Sequence, residues 1–419
     1  MIENRNLKLE MERRLTPEVL VLIRHVAALA SSKDIPLYLV GGPVRDLFLK
    51  RKILDIDLVM EGDAPSLARE LAAELGGNVR IHSRFGTATY FSGNISIDLV
   101  TARSEVYPRP GALPVVKPGT ITDDLHRRDF TINAMAVCLS PAQYGDLLDP
   151  YGGQVDLKRH LIKVIHPVSF IDDATRILRA LRYEQRLAFQ MEKETEILLR
   201  YNLAYLSTIS GDRITGELEL ILQEERPENI LQRAFNLGVL SSIHSSLHWN
   251  ANLPDRFEHA RSYTDNKMRR ASLYFSLLAY DSTEKDNEDI IAFLKLPRLV
   301  AQAMRDTINL KANLINLAQN NLPRSKIYHL LRYYSLEALI TVDISANIPA
   351  VHEYIQLFLT ELRHNKVALN GKDLLKLGIK PGPVMGDILE ILMEARLDGR
   401  VSTSQQEIEL VEKLIDMKE

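Results

Sequence analysis

Asp55-Ile56-Asp57 sets two carboxylates two residues apart, downstream of Gly41-Gly42 in LYLVGGPVRDLFLKRKILDIDLVM, residues 37–60. On an extended strand, residues i and i+2 point the same way, so both carboxylates would leave one face side by side. Two such groups repel unless a cation lies between them, and their hard oxygens suit Mg2+. The paired glycines let backbone N–H groups approach a phosphate, with the start of a following helix adding positive potential. Arg45 lies between the two motifs. The expected chemistry is a metal–triphosphate site with Asp55 and Asp57 as metal ligands. Without the glycines and Arg45, the two acids would read as solvent-facing residues of an edge strand. Asp98, in ISIDLVTA, sits among apolar neighbours on a strand that can pair beside the first. It is the third catalytic candidate, against a plain turn or salt-bridge role.

Two further stretches carry paired charges. In HRRDFTINAMA, residues 126–136, Arg128 can hold a phosphate and Asp129 can accept from a ribose hydroxyl. Asn133 is counted with them as a nucleotide contact, and a surface ion pair with an N-cap is the alternative. In FIDDATRILRALRY, Asp172 and Asp173 precede Arg176, Arg179 and Arg182, which recur every third residue and drift slowly around one helix face. Ile177, Leu178 and Leu181 account for core contact, leaving the arginines to line a pocket or to form a solvated stripe. A carboxylate accepts from an exocyclic amine while a guanidinium donates to a ring nitrogen. Cytosine and adenine present that pattern, and uracil and guanine present its reverse. Asp173 with Arg176 can therefore choose C and A without a nucleic-acid template.

These residues need strands that expose carboxylates and a helix that faces them. IPLYLVGG, ILDIDLVM, TATYFSG, ISIDLVTA and INAMAVCL read as strands, with PSLARELAAEL as a helix between two of them. From about residue 170 strand signals vanish and apolar residues recur at helical spacing, as in GDRITGELELILQ and PVMGDILEILMEARLDG. The chain has 419 residues, enough for several domains, and 46% hydrophobic residues, ordinary for a globular protein. One cysteine, Cys138, excludes an intrachain disulfide and a Cys-rich zinc site, so a reducing cytoplasm is expected. No apolar run reaches membrane-spanning length. The net charge of −3 assigns any polyanion binding to local basic patches. Lys267, Arg269 and Arg270 are one such cluster, read first as a solvated helix face. His244 and His248, one helical turn apart, are read as packing residues beside Trp249 rather than metal ligands.

In order, LVGGPVRD…LDIDLV, RRDFTINAMA, DPYGGQVDL and DDATRILRALRY, over residues 37–183, resemble the motifs of class II tRNA nucleotidyltransferases and bacterial poly(A) polymerases. The resemblance implies an α+β chain with a polymerase-β-like nucleotidyltransferase head over 1–148. A helical neck carrying the base-reading helix would follow at 149–215, then a helical body at 216–335 and a tRNA-contacting tail at 336–419. It implies addition of CCA, or part of it, to the tRNA 3′ end from CTP and ATP with Mg2+, and no protein partner. Carried over, Asp55 and Asp57 bind metal and Asp98 is the third head carboxylate. Gly42, Arg45 and Arg128 would meet the nucleotide and Asp129 its ribose, with Gly41 and Asn133 as candidate contacts beside them. Asp173 and Arg176 would read the base, with Arg179 and Arg182 as further contacts. ALNGKDLLKLGIKPGPVMG, residues 368–386, resembles the segment that meets the tRNA elbow. Asp172 stands where the family commonly has Glu, and ARSEVYPRPGALPVV, residues 102–116, looks more like A-adding and related subtypes. A-only or CC-only addition and poly(A) synthesis share these motifs. A non-catalytic RNA-binding protein on the same fold is the alternative of another class.

Overall fold

A computed structural model describes residues 5–53, 55–82, 86–263 and 267–416, without the side chains of 267–269. Two of the three residues in the basic cluster, Lys267 and Arg269, therefore have side chains outside the described residues. The class is α+β, as expected: all the strands lie in the N-terminal half.

Thr16 caps α2 (Pro17–Ser31) by accepting from the Val19 N–H, and α1 (Lys8–Arg14) precedes it. After β1 (Leu37–Val40), the chain enters the short α3 (Gly42–Phe48), then β2 (Asp57–Met60). Asp63 caps α4 (Ala64–Leu75), with Pro65 in its first turn, where the missing N–H costs nothing. Next come β3 (Asn78–His82), β4 (Thr87–Ser92), β5 (Ile95–Thr101) and a separate hairpin of β6 (Arg103–Val106) and β7 (Val115–Pro118). A reciprocal Thr120–Asp123 capping box opens α5 (Ile121–His126), followed by β8 (Ala136–Cys138) and β9 (Leu147–Leu148).

The sheet order is β3-β4-β5-β2-β1-β8-β9. Only β2 and β5 run parallel, and their register sets Asp57 opposite Asp98. Along β5, Ile97 and Leu99 are buried while Asp98 between them is exposed, the period-two alternation of a strand with one face in a core.

After α6 (Gly153–Lys158) a two-residue strand, β10 (Leu161–Ile162), pairs in parallel with β11 (Gln190–Met191). Strand structure therefore reaches slightly past residue 170, where the sequence shows no strand signal. Between β10 and β11 lie α7 (Ser169–Asp172) and α8 (Thr175–Leu187). Then follow α9 (Lys193–Tyr201) and α10 (Gly211–Leu222).

The chain divides into two units, one of residues 1–218 with 232–243 and another of 219–231 with 244–419. The second unit is helical. One of its cores gathers Leu310, Leu331, Val342, Val351, Ile355 and Leu362, and another gathers Leu369, Leu374, Leu392 and Val411. No helix among the described residues is long and apolar enough to cross a membrane.

Candidate active site

A cavity of about 550 Å3 opens in the first unit. Its wall includes Gly42, Arg45, Asp55, Asp57, Arg128, Asp129, Asn133, Asp173, Arg176 and Arg179. Three other candidates adjoin lining residues without lining it themselves. Gly41 precedes Gly42, Asp98 is the cross-strand partner of Asp57, and Arg182 lies one turn beyond Arg179.

The glycine turn is forced by its neighbours. Gly41 has φ +72°, and a Cβ there would lie 2.5 Å from Arg128 Nη1. No other residue combines that backbone angle with that approach. Arg128 is held in place by Asp124, whose Oδ2 accepts from its Nη2 at 2.9 Å, and Arg127 binds the other oxygen of Asp124 at 2.6 Å. Burial opposes ionisation of Asp124, but Arg128 and Arg127 prevail and hold its carboxyl below the usual range. Asp124 is thus the anchor of both arginines that the sequence stretch singles out.

The carboxylate pair is asymmetric. Asp57 opens β2, whereas Asp55 precedes the strand and is exposed on the cavity wall. Burial pushes the Asp57 carboxyl up to about 6, with Asp98 and Asp55 adding to the rise and Arg128 opposing it. Asp98 accepts from the Thr89 hydroxyl at 2.6 Å, so Thr89, Asp98 and Asp57 form a row across three neighbouring strands. Among the described residues, no group of three His, Cys, Asp or Glu side chains has metal-holding geometry. Two carboxylates are nevertheless what Mg2+ usually takes from a protein, with water and substrate phosphates completing the shell. A cation would also offset the burial cost and the repulsion that together raise Asp57. The residues fit the ion.

Asp129 is fully committed. Its Oδ1 accepts from the Phe130 N–H (2.8 Å) and Asn133 Nδ2 (3.0 Å), and its Oδ2 from Arg179 Nε (3.0 Å) and Nη2 (2.7 Å). Burial raises its carboxyl, but Arg179 and Asn133 outweigh that and lower it. All four acceptor positions are filled, so a ribose hydroxyl would have to displace one of these donors. Asn133 also accepts from Arg45 Nη1 at 2.8 Å, which links Arg45, Asn133, Asp129 and Arg179 in one chain.

The helix α8 is not a solvated stripe. Arg176 and Arg182 are 5% and 7% exposed, nearly as buried as the apolar residues beside them. Ser169 accepts from Arg176 Nη1 at 2.6 Å, and the Arg127 carbonyl accepts from Nη2 at 2.8 Å. Asp173 lies outside both neighbouring helices. Asp172 ends α7, and Asp173 lies in the extended break before Thr175. There its Oδ1 accepts from the Thr175 N–H (3.0 Å) and hydroxyl (2.7 Å), and its Oδ2 from Arg213 Nη2 (2.8 Å). One acceptor position remains, on Oδ2.

Sequence reasoning missed Arg213, Glu217 and Tyr183. From α10, Arg213 pins Asp173, and Glu217 pairs with Arg179 (3.3 Å) and Arg182 (3.6 Å). Tyr183 lies beneath the guanidinium groups of Arg45, Arg179 and Arg182 at 5.5–5.7 Å. Arg213 carried a signal, since a cation in a helix's first turn opposes the macrodipole and needs a partner. The histidine pair is also settled. His244 lies just after the helix Val239–Ile243, so the two are not on one turn, and its ring packs on Phe293 at 5.3 Å.

Comparison with known proteins adds three family models. Residues 37–163 match "Poly A polymerase head domain", 188–249 match "Probable RNA and SrmB- binding site of polymerase A", and 269–411 match "tRNA nucleotidyltransferase domain 2 putative". An A-adding tRNA nucleotidyltransferase of Geobacter sulfurreducens is 32% identical over 97% of this chain, which spans only 48% of that protein. An A-adding tRNA nucleotidyltransferase of Halalkalibacterium halodurans is 31% identical, covering 98% of this chain and 96% of the relative. A Thermotoga maritima CCA-adding enzyme solved in complex with tRNA superposes with a TM-score of 0.78 at 30% identity, covering 99% of this chain and 100% of that one.

Proposed function

We propose, for a chain that belongs to the tRNA nucleotidyltransferase family, that it adds nucleotides of the CCA end to tRNA from CTP and ATP without a nucleic-acid template. The observation that carries this reading is the shared cavity, where the Asp55–Asp57 pair and the Asp173–Arg176 pair line one wall system. Acid groups for phosphoryl chemistry and a hydrogen-bonding pair for base choice thus meet around a single nucleotide-sized space.

The roles follow from chemistry. Asp55 and Asp57 would hold Mg2+, which when bound supplies charge to activate the tRNA 3′-hydroxyl and neutralise the triphosphate. Gly42, Arg45 and Arg128 bind the phosphates and orient the α-phosphorus for in-line attack. Asp98, which accepts from the Thr89 hydroxyl and stands opposite Asp57 across the strands, is the proposed third catalytic carboxylate. Asp173 accepts from the exocyclic amine of C or A through its remaining lone pair, and Arg176 donates to the adjacent ring nitrogen. Arg179 and Arg182, braced by Glu217, complete the nucleotide pocket. Residues 368–386 in the second unit, where the Asn370-capped helix Gly371–Lys376 runs into a glycine-bearing turn, are the proposed tRNA-elbow contact. Head, neck, body and tail are proposed with the bounds given above.

Addition of the terminal A alone is the second reading. The A-adding relatives at 31–32% identity and the form of residues 102–116 favour it. Purified protein given tRNA ending at the discriminator base, at C or at CC, with CTP plus ATP, separates the two. Full CCA addition extends all three by defined lengths, and A-only addition extends only the CC-ended tRNA. Long tails would replace both with poly(A) synthesis, and no extension of any tRNA would overturn the proposal.

A further inference from the structure

A second cavity, of about 560 Å3, lies at the opposite end of α3 from the transfer pocket. Its floor is apolar, with Leu7, Leu47 and Leu157 buried and the Phe48 ring half-exposed. Its rim is cationic: Arg5, Arg13, Arg14, Lys50 and Lys158 line it, against one acid, Glu10, which Arg5 binds at 3.2 Å. In a chain of net charge −3 this is a concentrated positive patch.

Lys50 and His160 sit just past the ends of α3 and α6, where both adopt φ +55°, the left-handed stop of a helix. The N-terminal segment is also fixed against the sheet, where Asn6 donates to the Tyr144 carbonyl and the Asp146 carboxylate. Gly145 permits this approach, since a Cβ there would meet Asn6 Oδ1 at 2.4 Å. Arg5 and α1 are thereby held over the cavity, with the Arg5 guanidinium 5.1 Å from the Phe48 ring centre.

We propose that this cavity is a second nucleotide-binding site, taking a phosphate ester on its cationic rim and a base stacked on the Arg5 guanidinium that covers the Phe48 ring. The run Lys50-Arg51-Lys52 joins it to the transfer pocket, because Lys50 lines the one and Arg51 and Lys52 line the other. A continuous positive track favours successive phosphates of an RNA strand over a free nucleotide. The RNA source rests on the tRNA reading above.

The test is Arg13→Glu with Lys158→Glu, both exposed and outside the transfer pocket. Arg13→Ala with Lys158→Ala is the milder pair should charge reversal disturb folding, which thermal melting checks. Binding of tRNA lacking its CCA end is measured against salt, and ATP binding is measured calorimetrically. We expect tRNA affinity to fall at least about tenfold near 0.1 M salt, and the slope of log K against log salt to become shallower by about 1.4–1.8. Unchanged tRNA binding with ATP stoichiometry falling from two to one would support the site and make the free nucleotide its ligand. Unchanged binding of both overturns the proposal, and the cations then serve only the ends of α1, α3 and α6. A wild type that binds tRNA but transfers nothing would sink the functional reading, while the binding arms would still decide the cavity.

Discussion

Asp57→Asn is expected to abolish nucleotide transfer and, in metal-free buffer, to raise the melting temperature. The two effects have one cause. Burial with Asp98 and Asp55 nearby pushes the Asp57 carboxyl from the ordinary 3.8 up to about 6. Its folded-state value lies above its unfolded one, so its contribution to stability is full below pH 3.8 and is lost as pH rises through 6. At neutral pH the buried charge costs roughly 3 kcal/mol. Asparagine keeps the shape and removes the charge, so the gain in melting temperature should appear between pH 5 and 7.5 and vanish near pH 4. Adding Mg2+ should then stabilise the wild type, more at pH 7.5 than at pH 5, and leave the variant unmoved. Transfer should drop by at least about a thousandfold, since loss of metal-borne charge stabilisation is worth several kcal/mol. Turnover within tenfold of wild type, or an equal Mg2+ response in both proteins, would remove Asp57 from the metal site.

Asp173→Ala is expected to blur base choice. The carboxylate has one acceptor position left for an exocyclic amine, and Arg213 and Thr175 fix where that position points. A hydrogen bond to a charged group is worth roughly 1.5–3 kcal/mol, so selectivity for ATP and CTP over GTP and UTP should fall by about ten- to a hundredfold. The Mg2+ dependence should stay as it was, which separates this loss from that of Asp57. Competition among all four triphosphates measures the ratio. Wild-type selectivity with wild-type rate would show that Asp173 serves only to hold Arg213.

What the sequence made legible was local. Strand alternation around Asp98 and the glycine turn before Arg45 both follow from period and backbone freedom within a few residues. The three arginines of α8 could be placed on one face, but their burial could not be decided. That depends on Ser169, Glu217 and the Arg127 carbonyl, which arrive from other elements. The saturation of Asp129 is likewise a long-range fact, because half of its donors come from Arg179 on α8, fifty residues along the chain. The hairpin of β6 and β7 gave no strand signal, since RSEV and VVKP are short, partly charged and paired only with each other. Asp173 lies in a break between two helices that no proline or glycine marks in the sequence, and it accepts from Thr175 there.

Template-free transfer by a carboxylate-held metal, with bases chosen by protein side chains, requires that the wild-type protein tell triphosphates apart on a tRNA ending in CC. Each triphosphate is given alone, with Mg2+ or with EDTA. One AMP should be added in Mg2+, with no incorporation from GTP or UTP, and nothing should be added from any triphosphate in EDTA. Incorporation of GTP at a rate near that of ATP would refute the protein-read base, and addition that persists in EDTA would refute the metal.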